Sequence, residues 1–335
     1  MGVTIKDVAR EAGVSISTVS KALNNCYSIS GETTTHVKEV AKRLSYTPNA
    51  RAQTLARQLN KEVTLLTDLH RDIAFSNPHL FEIMAGAEEA LSMKGYSLTV
   101  KNCNPDTICT YVSDLFDCKG SDGILLHVSV VTRELATLLA NRKIPHITIG
   151  KPEFSNSLCW IDNNNQFSGE IAAGYLLDMG LRDIAFIGGT DEDKISHDRM
   201  LGANARLRGE KLQLTSVRKG DSTVQEGMRM CYELLSQGEI PEAIICANNL
   251  LAFGCLSALQ NRGIKVPDEV SLITFDDYPL AQYTSPTLSN VSIDLYDMGI
   301  EAAKILLRKI KNHQMQVQTY ATIPQLVVRE STKNE

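Results

Sequence analysis

The chain has 335 residues, 43% of them hydrophobic, and a formal net charge of −5. That length exceeds one typical domain and points to two or three, with enough apolar residues for sizeable cores. The charge would argue against a nucleic-acid binder, but residues 1–61 carry nine Lys/Arg against four Asp/Glu, +5, leaving −10 on the remainder; a basic head on an acidic body is the implied organisation.

The head begins with Thr4–Leu23, TIKDVAREAGVSISTVSKAL. Ile5, Val8 and Ala9 recur at helical spacing. Thr4 is a suitable N-cap, with Asp7 at the third helical position where an acid can reach back. Ala12-Gly13-Val14 breaks the pattern, and Gly13 can take a positive φ without steric cost. Ser15 caps a second helix, with Val14 and Val19 at the spacing of a hydrophobic staple. Val19 and Leu23 then face the first helix, and Ile16, Ser17, Thr18 and Lys21 remain on the outer face. This is helix-turn-helix geometry, whose second helix enters the DNA major groove. Ser30 caps a third helix, in which Val37, Val40, Ala41 and Leu44 form an apolar stripe. Tyr46-Thr47-Pro48-Asn49 ends it, because the residue before proline is pushed out of the helical region. Asn49 can cap one more short helix, ARAQTLARQL, with Arg51, Leu55 and Arg57; at that length it is marginal in water and needs DNA or a partner chain.

From about Val63 strands and helices alternate. The expected order is strand VTLLTD, helix Asn77–Lys94, strand YSLTV, helix Thr107–Phe116, strand DGILLHV, helix Thr132–Asn141, strand PHITIG and strand CWID. A second series follows: helix Gln166–Met179, strand IAFIGG, helices Arg199–Arg208 and Thr223–Ser236, strand AIICA, helix Leu250–Arg262 and strand SLITFD. Strand SNVSID and helix Met298–Lys311 suggest a return to the first subdomain, with a last crossing near Ile323-Pro324. Repeated βα units with buried strands imply parallel sheets flanked by helices. Ligands of such sheets sit beyond the carboxyl ends of the strands. There the sequence places Asp68, His70, His127, Asp162, Asn163, Asn248 and Asp276, with Arg199 starting a helix after a loop.

The segments TIKDVAREAGVSISTVSKALNN and SYTPNARAQTLA, and LVVRES at Leu326–Ser331, resemble the lactose-repressor (LacI/GalR) family of bacterial transcription regulators, essentially end to end. The resemblance implies an α/β chain in three parts. Residues 1–47 would be an all-α helix-turn-helix head and 48–61 a hinge helix and linker. Residues 62–335 would be a periplasmic-binding-protein-like body for effector binding and dimerisation, with two doubly wound parallel-sheet subdomains. One would hold about 62–161 and 292–322, the other about 162–291 and 323–335. It implies DNA contacts from Thr4, Ser15, Ile16, Ser17, Thr18, Ser20, Lys21, Asn24 and Tyr46, and from Asn49, Ala52 and Leu55 in the hinge. Leu55 matches a leucine that wedges into the minor groove at the central base step. Arg199 and Asp276 match the family's effector-holding pair, and Asn248 a frequent ligand contact. His79 and Leu80 match pocket-lining positions, and His127 and Asp162 complete the expected effector set.

The chain departs from the family pattern in places. Asn249 follows Asn248 where an acid is common, Gly150 stands where an acid often follows the strand, and Leu181 replaces a frequent histidine. Thr34 sits where arginine is usual, and LHRDIAFSNP is longer than typical. Five histidines, His70, His79, His127, His146 and His197, are expected in the cleft-forming region, which raises an anionic or nucleoside-type effector as an alternative to a sugar or sugar derivative.

Other classes fit poorly. GxSxG, a P-loop and a GxGxxG opening a helix are absent, so an enzyme is not expected. No HxxxH or CxxC spacing supports a metal, and no cofactor is expected. The eight scattered cysteines read as reduced thiols of a cytosolic protein. Without a leader or an 18-residue apolar run, neither export nor membrane insertion is expected. The expected partners are a palindromic double-stranded operator, a small-molecule effector and a second copy of the chain, with repression the expected mode; an activator and a solute-binding receptor without a DNA role are the remaining alternatives.

Overall fold

The computed structural model describes residues 4–23, 30–44, 46, 60–69, 79–236, 238, 240–312, 315 and 319–333. The hinge stretch containing Asn49, Ala52 and Leu55 lies outside the described residues, as do Asn24 and His70.

The head is three helices, α1 (Ile5–Glu11), α2 (Ile16–Leu23) and α3 (Gly31–Arg43). Asp7 reaches back over the start of α1 and accepts from the Thr4 N–H at 3.0 Å and the Thr4 hydroxyl at 2.7 Å. These bonds hold the Asp7 carboxyl below its ordinary range. Gly13 makes the turn at φ +65°. Ser15 accepts from the Thr18 N–H at 3.1 Å and Ser30 from the Thr33 N–H at 3.2 Å, so α2 and α3 are each side-chain capped. Val8, Val19, Ala22, Val37, Val40 and Ala41 close a small core, against which Val14, Leu23, Leu44 and Tyr46 pack.

The body has two lobes, each built on a six-stranded sheet. The first contains β1 (Glu62–Thr67), β2 (Ser97–Asn102), β3 (Gly123–His127), β4 (His146–Ile149), β5 (Trp160–Asn163) and β11 (Thr319–Thr322), in the order β11-β5-β4-β3-β1-β2 and parallel throughout. One face is covered by α4 (His79–Ser92) and α11 (Leu295–Lys311), the other by α5 (Ile108–Asp117) and α6 (Arg133–Arg142). The second sheet contains β6 (Ile184–Gly188), β7 (Ser216–Lys219), β8 (Ala243–Cys246), β9 (Ser271–Phe275), β10 (Ser289–Ser292) and β12 (Gln325–Val327), ordered β12-β10-β9-β8-β6-β7. All its pairs are parallel except β10 with β12. Helices α7 (Asn165–Asp178), α8 (Lys194–Gly209), α9 (Val224–Leu235) and α10 (Asn249–Asn261) pack on it around a core centred on Phe186, Ile245 and Phe275. The chain passes between the lobes after β5, after β10 and between β11 and β12, so the strand ends of both sheets meet along one cleft.

Three differences from the sequence reading have physical causes. Helix α8 starts at Lys194, five residues before the expected start, because Asp193 caps it by accepting from the Ser196 N–H at 3.0 Å. Arg199 therefore stands in the second turn of the helix. Strands β7 and β11 were not expected at all. Both are four-residue edge strands with little buried surface, so neither carries an apolar run.

Candidate functional site

The polar centre of the cleft is an ion pair held below the surface. Arg199 is 2% exposed and Asp276 8%. The guanidinium grips the carboxylate with two bonds, Nη1 to Oδ2 at 3.0 Å and Nη2 to Oδ1 at 2.9 Å. It also donates from Nη1 to the Ala247 carbonyl at 2.8 Å and from Nε to Asn165 Oδ1 at 3.1 Å, and it lies over the Phe275 ring at 4.6 Å. Four bonds leave one of its five N–H donors for anything else. Burial pushes the Asp276 carboxyl up, but the charges of Arg199 and His79 and the Arg199 hydrogen bonds together hold it below the ordinary carboxylate range.

Helix packing sets where Arg199 stands. Helices α7 and α8 cross at Gly169 and Gly202. A Cβ on Gly169 would fall 1.9 Å from the Arg199 carbonyl oxygen, and one on Gly202 1.8 Å from that of Gln166. Only hydrogens fit at this crossing, so the two glycines bring Arg199 of α8 beside Asn165 of α7.

A cavity of about 380 Å³ opens between the lobes, large enough for a small metabolite. His79, Leu80, His127, Asp162, Arg199, Asn248 and Asp276 all line it. His79 starts α4 on the first lobe and reaches across, its Nε2 3.9 Å from Asp276 Oδ2 and its ring edge-on to Tyr278. His127 ends β3; its Nδ1 accepts from the Ser129 N–H at 3.3 Å and pairs with the Ser129 hydroxyl at 2.7 Å. Burial lowers the affinity of His127 for a second proton. Asp162, next to last in β5, accepts from the Lys151 N–H at 3.0 Å and the Asn163 N–H at 2.7 Å. Burial nevertheless pushes its carboxyl above the ordinary range. Asn248 caps α10 by accepting from the Leu251 N–H at 3.0 Å while donating to Ser222 at 2.9 Å.

The two walls overlap in chemistry. The first lobe presents Leu80, Ile83, Val128, Ile149, Leu295 and Met298 beside the polar His79, His127, Asp162 and Asn163; the second presents mostly polar groups. Gly150 on the first lobe has φ +93°, and a Cβ there would fall 2.7 Å from Val128, so an acid at this position is sterically barred. Carboxylates dominate the charge, with Asp162, Asp193 and Asp276 facing a single guanidinium.

Two of the five histidines expected near the cleft, His79 and His127, line it. His146 is instead buried in the first lobe, its Nδ1 donating to the Ile144 carbonyl at 2.8 Å and its Nε2 accepting from the Cys159 N–H at 3.4 Å. Burial lowers its pKa to about 4. His197 is exposed on α8, away from the cavity. Sequence reasoning did not single out Asn165, Asp193, Ser222 or Tyr278. Of these, only Asn165 carried a legible signal, in the polar run that follows the strand WID.

On the head, Ile16 is 46% exposed at the start of α2, a helix that also carries Ser17, Ser20 and Lys21. The Ser15 and Thr18 hydroxyls pair with each other at 2.8 Å, and Thr4 is tied to Asp7. Tyr46 packs against the head core. Among the described residues, no group of three or more His, Cys, Asp or Glu is placed to hold a metal, and no helix is long and apolar enough to cross a membrane.

Residues 4–49 match the model of the family described as bacterial regulatory proteins, lacI family, and residues 173–332 match a periplasmic binding protein-like domain. The HTH-type transcriptional repressor PurR of Histophilus somni (strain 129Pt) is 30% identical over 335 residues, covering 98% of this chain and 99% of that protein. The repressor of the same name from Vibrio parahaemolyticus is 32% identical over 338 residues, with 98% of each chain covered. Among solved structures, a transcriptional regulator CelR–cellobiose complex superposes with a TM-score of 0.71 at 26% identity, covering 98% of this chain and 99% of that one. The Lac repressor dimer bound to operator and the anti-inducer ONPF gives 0.76 at 22% identity, with 99% of each chain covered, a likeness of fold.

Proposed function

Since the chain belongs to the lacI family of bacterial regulatory proteins, we propose that it is a cytoplasmic transcriptional repressor that binds a palindromic operator as a homodimer, under the control of a small molecule bound between the lobes. It acts by binding rather than by catalysis. The observation that carries this reading is the combination on one chain of a capped helix-turn-helix, with Ile16 exposed on its second helix, and a cleft centred on the buried Arg199–Asp276 pair. Base reading falls to Ile16, Ser17 and Lys21; lysine suits guanine O6/N7 and isoleucine a thymine methyl. Leu55 of each hinge sits at the centre of the site. Ligand closing the lobes changes the separation of the two hinges and so shifts them between ordered and disordered.

The cleft favours an uncharged effector. Its carboxylates outnumber its one guanidinium, which is already committed to Asp276, so an anion would meet net negative charge and one spare N–H. The apolar side chains of the first lobe, together with the acceptors that both lobes supply, suit a small ring molecule with one apolar face and an edge of O–H or N–H donors. A nucleobase, a nucleoside or a neutral glycoside has that form.

Thermal-shift screening of the full chain against nucleobases, nucleosides, hexoses, glycosides and their phosphate esters tests the effector class. A ligand at 100 times its Kd adds about 2.7 kcal/mol of stability. Hits confined to phosphate esters would overturn the neutral-ligand reading. Fluorescence anisotropy with genomic fragments tests the DNA role; no sequence preference at any salt concentration would remove it.

A further inference from the structure

The turn that presents Asp276 has a conformation its own residue disfavours. Asp276 stands at φ +66°, in the left-handed region that favours glycine. Its N–H donates to the Val291 carbonyl at 2.9 Å, which fixes one side of the turn. On the other side the carbonyls of Phe275 and Asp276 converge on one group, the side-chain amide of Asn249, at 2.9 and 2.8 Å. Asn249 is 6% exposed and opens α10.

The Asp276 carbonyl also accepts from the Tyr278 N–H at 2.8 Å, whereas bridging both carbonyls from one side chain takes two N–H donors there. An amide supplies both, a hydroxyl one and a carboxylate none. The same requirement fixes which way the amide points. Its Oδ1 is left buried without a partner among the described residues, so the two carbonyls govern the orientation. Asn249 makes no bond to Arg199 or to the Asp276 carboxylate. Its action is on the backbone from which that carboxylate projects.

We propose that Asn249 is a positioning residue of the cleft, clamping the left-handed turn so that the Asp276 carboxylate faces Arg199 squarely and keeps its outer lone pairs toward the ligand. The role in ligand binding rests on the reading of the cleft given above; the positioning itself does not. Without the clamp the turn relaxes toward negative φ and the carboxylate swings off the guanidinium.

The test is the titration of Asp276 in the full chain labelled with carboxyl-13C aspartate, its resonance assigned by loss in Asp276→Asn. Arg199 and His79 face this carboxylate, and Asp277 beside it is paired with Arg329. In the wild type the resonance titrates below the ordinary value of about 3.9. In Asn249→Ala, with far-UV ellipticity unchanged, the midpoint rises by about one pH unit, tenfold in proton affinity. Asn249→Ser, which keeps one donor, falls between and serves if the alanine variant does not fold. An unchanged midpoint in a folded variant overturns the proposal. So does unfolding of both variants, since Asn249 would then carry the lobe rather than the direction of one carboxylate. No ligand enters the measurement, so a blank effector screen would overturn the cleft reading and leave this result standing.

Discussion

Truncating Asp276 should destabilise the second lobe, because its carboxylate is the counter-charge of a buried guanidinium that lies on the core residue Phe275. In Asp276→Ala the Arg199 side chain, 3% exposed, keeps its bonds to Ala247 and Asn165 but loses both carboxylate bonds and its counter-charge. A buried ion left unpaired in this way costs about 3–5 kcal/mol. That is about a fifth or more of a typical total of about 5–15 kcal/mol. Arg199→Ala should cost a similar amount, since it strands the carboxylate and removes the group stacked on Phe275. The double variant Arg199→Met/Asp276→Leu should recover much of the loss, because an apolar pair of similar volume removes both desolvation penalties. Urea unfolding should be followed by far-UV ellipticity and by the fluorescence of Trp160, the single tryptophan, which lies on β5 of the first lobe. The single variants should lower the midpoint of the ellipticity curve and shift the Trp160 curve less. Single variants costing under about 1 kcal/mol, with a double variant no better than either, would mean the pair behaves as a solvated surface bridge and would refute the reasoning.

Acid should weaken the first lobe through His146. The unfolded chain takes up a proton near pH 6.5 that the folded chain refuses until about pH 4, so His146 is neutral to stability above 6.5 and destabilises progressively below it. The slope is about 1.4 kcal/mol per pH unit inside that window; His127 adds in the same direction, and His146→Gln should flatten the Trp160-detected profile. Gly202→Ala, whose Cβ would meet the Gln166 carbonyl oxygen at 1.8 Å, should cost about 1–3 kcal/mol or more in a melting experiment. Gly209→Ala on the same helix, whose nearest neighbour is Arg206 Nη1 at 3.8 Å, should change little. On the DNA side, Lys21→Ala should cost about 1–3 kcal/mol of operator affinity and relax preference at one symmetric position; equal weakening on every sequence would make it a phosphate contact. Leu55→Ala should weaken operator binding and reduce the effector's influence on it, while effector affinity of the free protein is unchanged. Titrating effector with and without operator measures both.

The sequence by itself determined what depends on local spacing. The helix-turn-helix was legible because each of its signals is local: the caps, the Gly13 turn, and the apolar spacings Ile5-Val8-Ala9, Val14-Val19 and Val37-Val40-Ala41-Leu44. The βα alternation was legible because buried parallel strands must be continuously apolar. Residues at the ends of those strands, from His127 to Asp276, could be nominated for the cleft because a parallel sheet sends all its carboxyl ends the same way. Tertiary structure alone decided the rest. Strands β7 and β11 exist because a neighbouring strand offers backbone partners at a sheet edge, which four half-exposed residues do not announce. The early start of α8 rests on Asp193 meeting Ser196, and the place of Arg199 on a helix crossing with room only for glycine. His146 looks in sequence like His127, yet one ring is locked inside a lobe by Ile144 and Cys159 while the other faces the cleft. Most telling is Arg199 with Asp276: the sequence offers two free polar groups to a ligand, but 77 residues apart in the chain they fold into contact, with two of the four Arg199 hydrogen bonds going to the Asp276 carboxylate, because charge taken out of water must be satisfied from within.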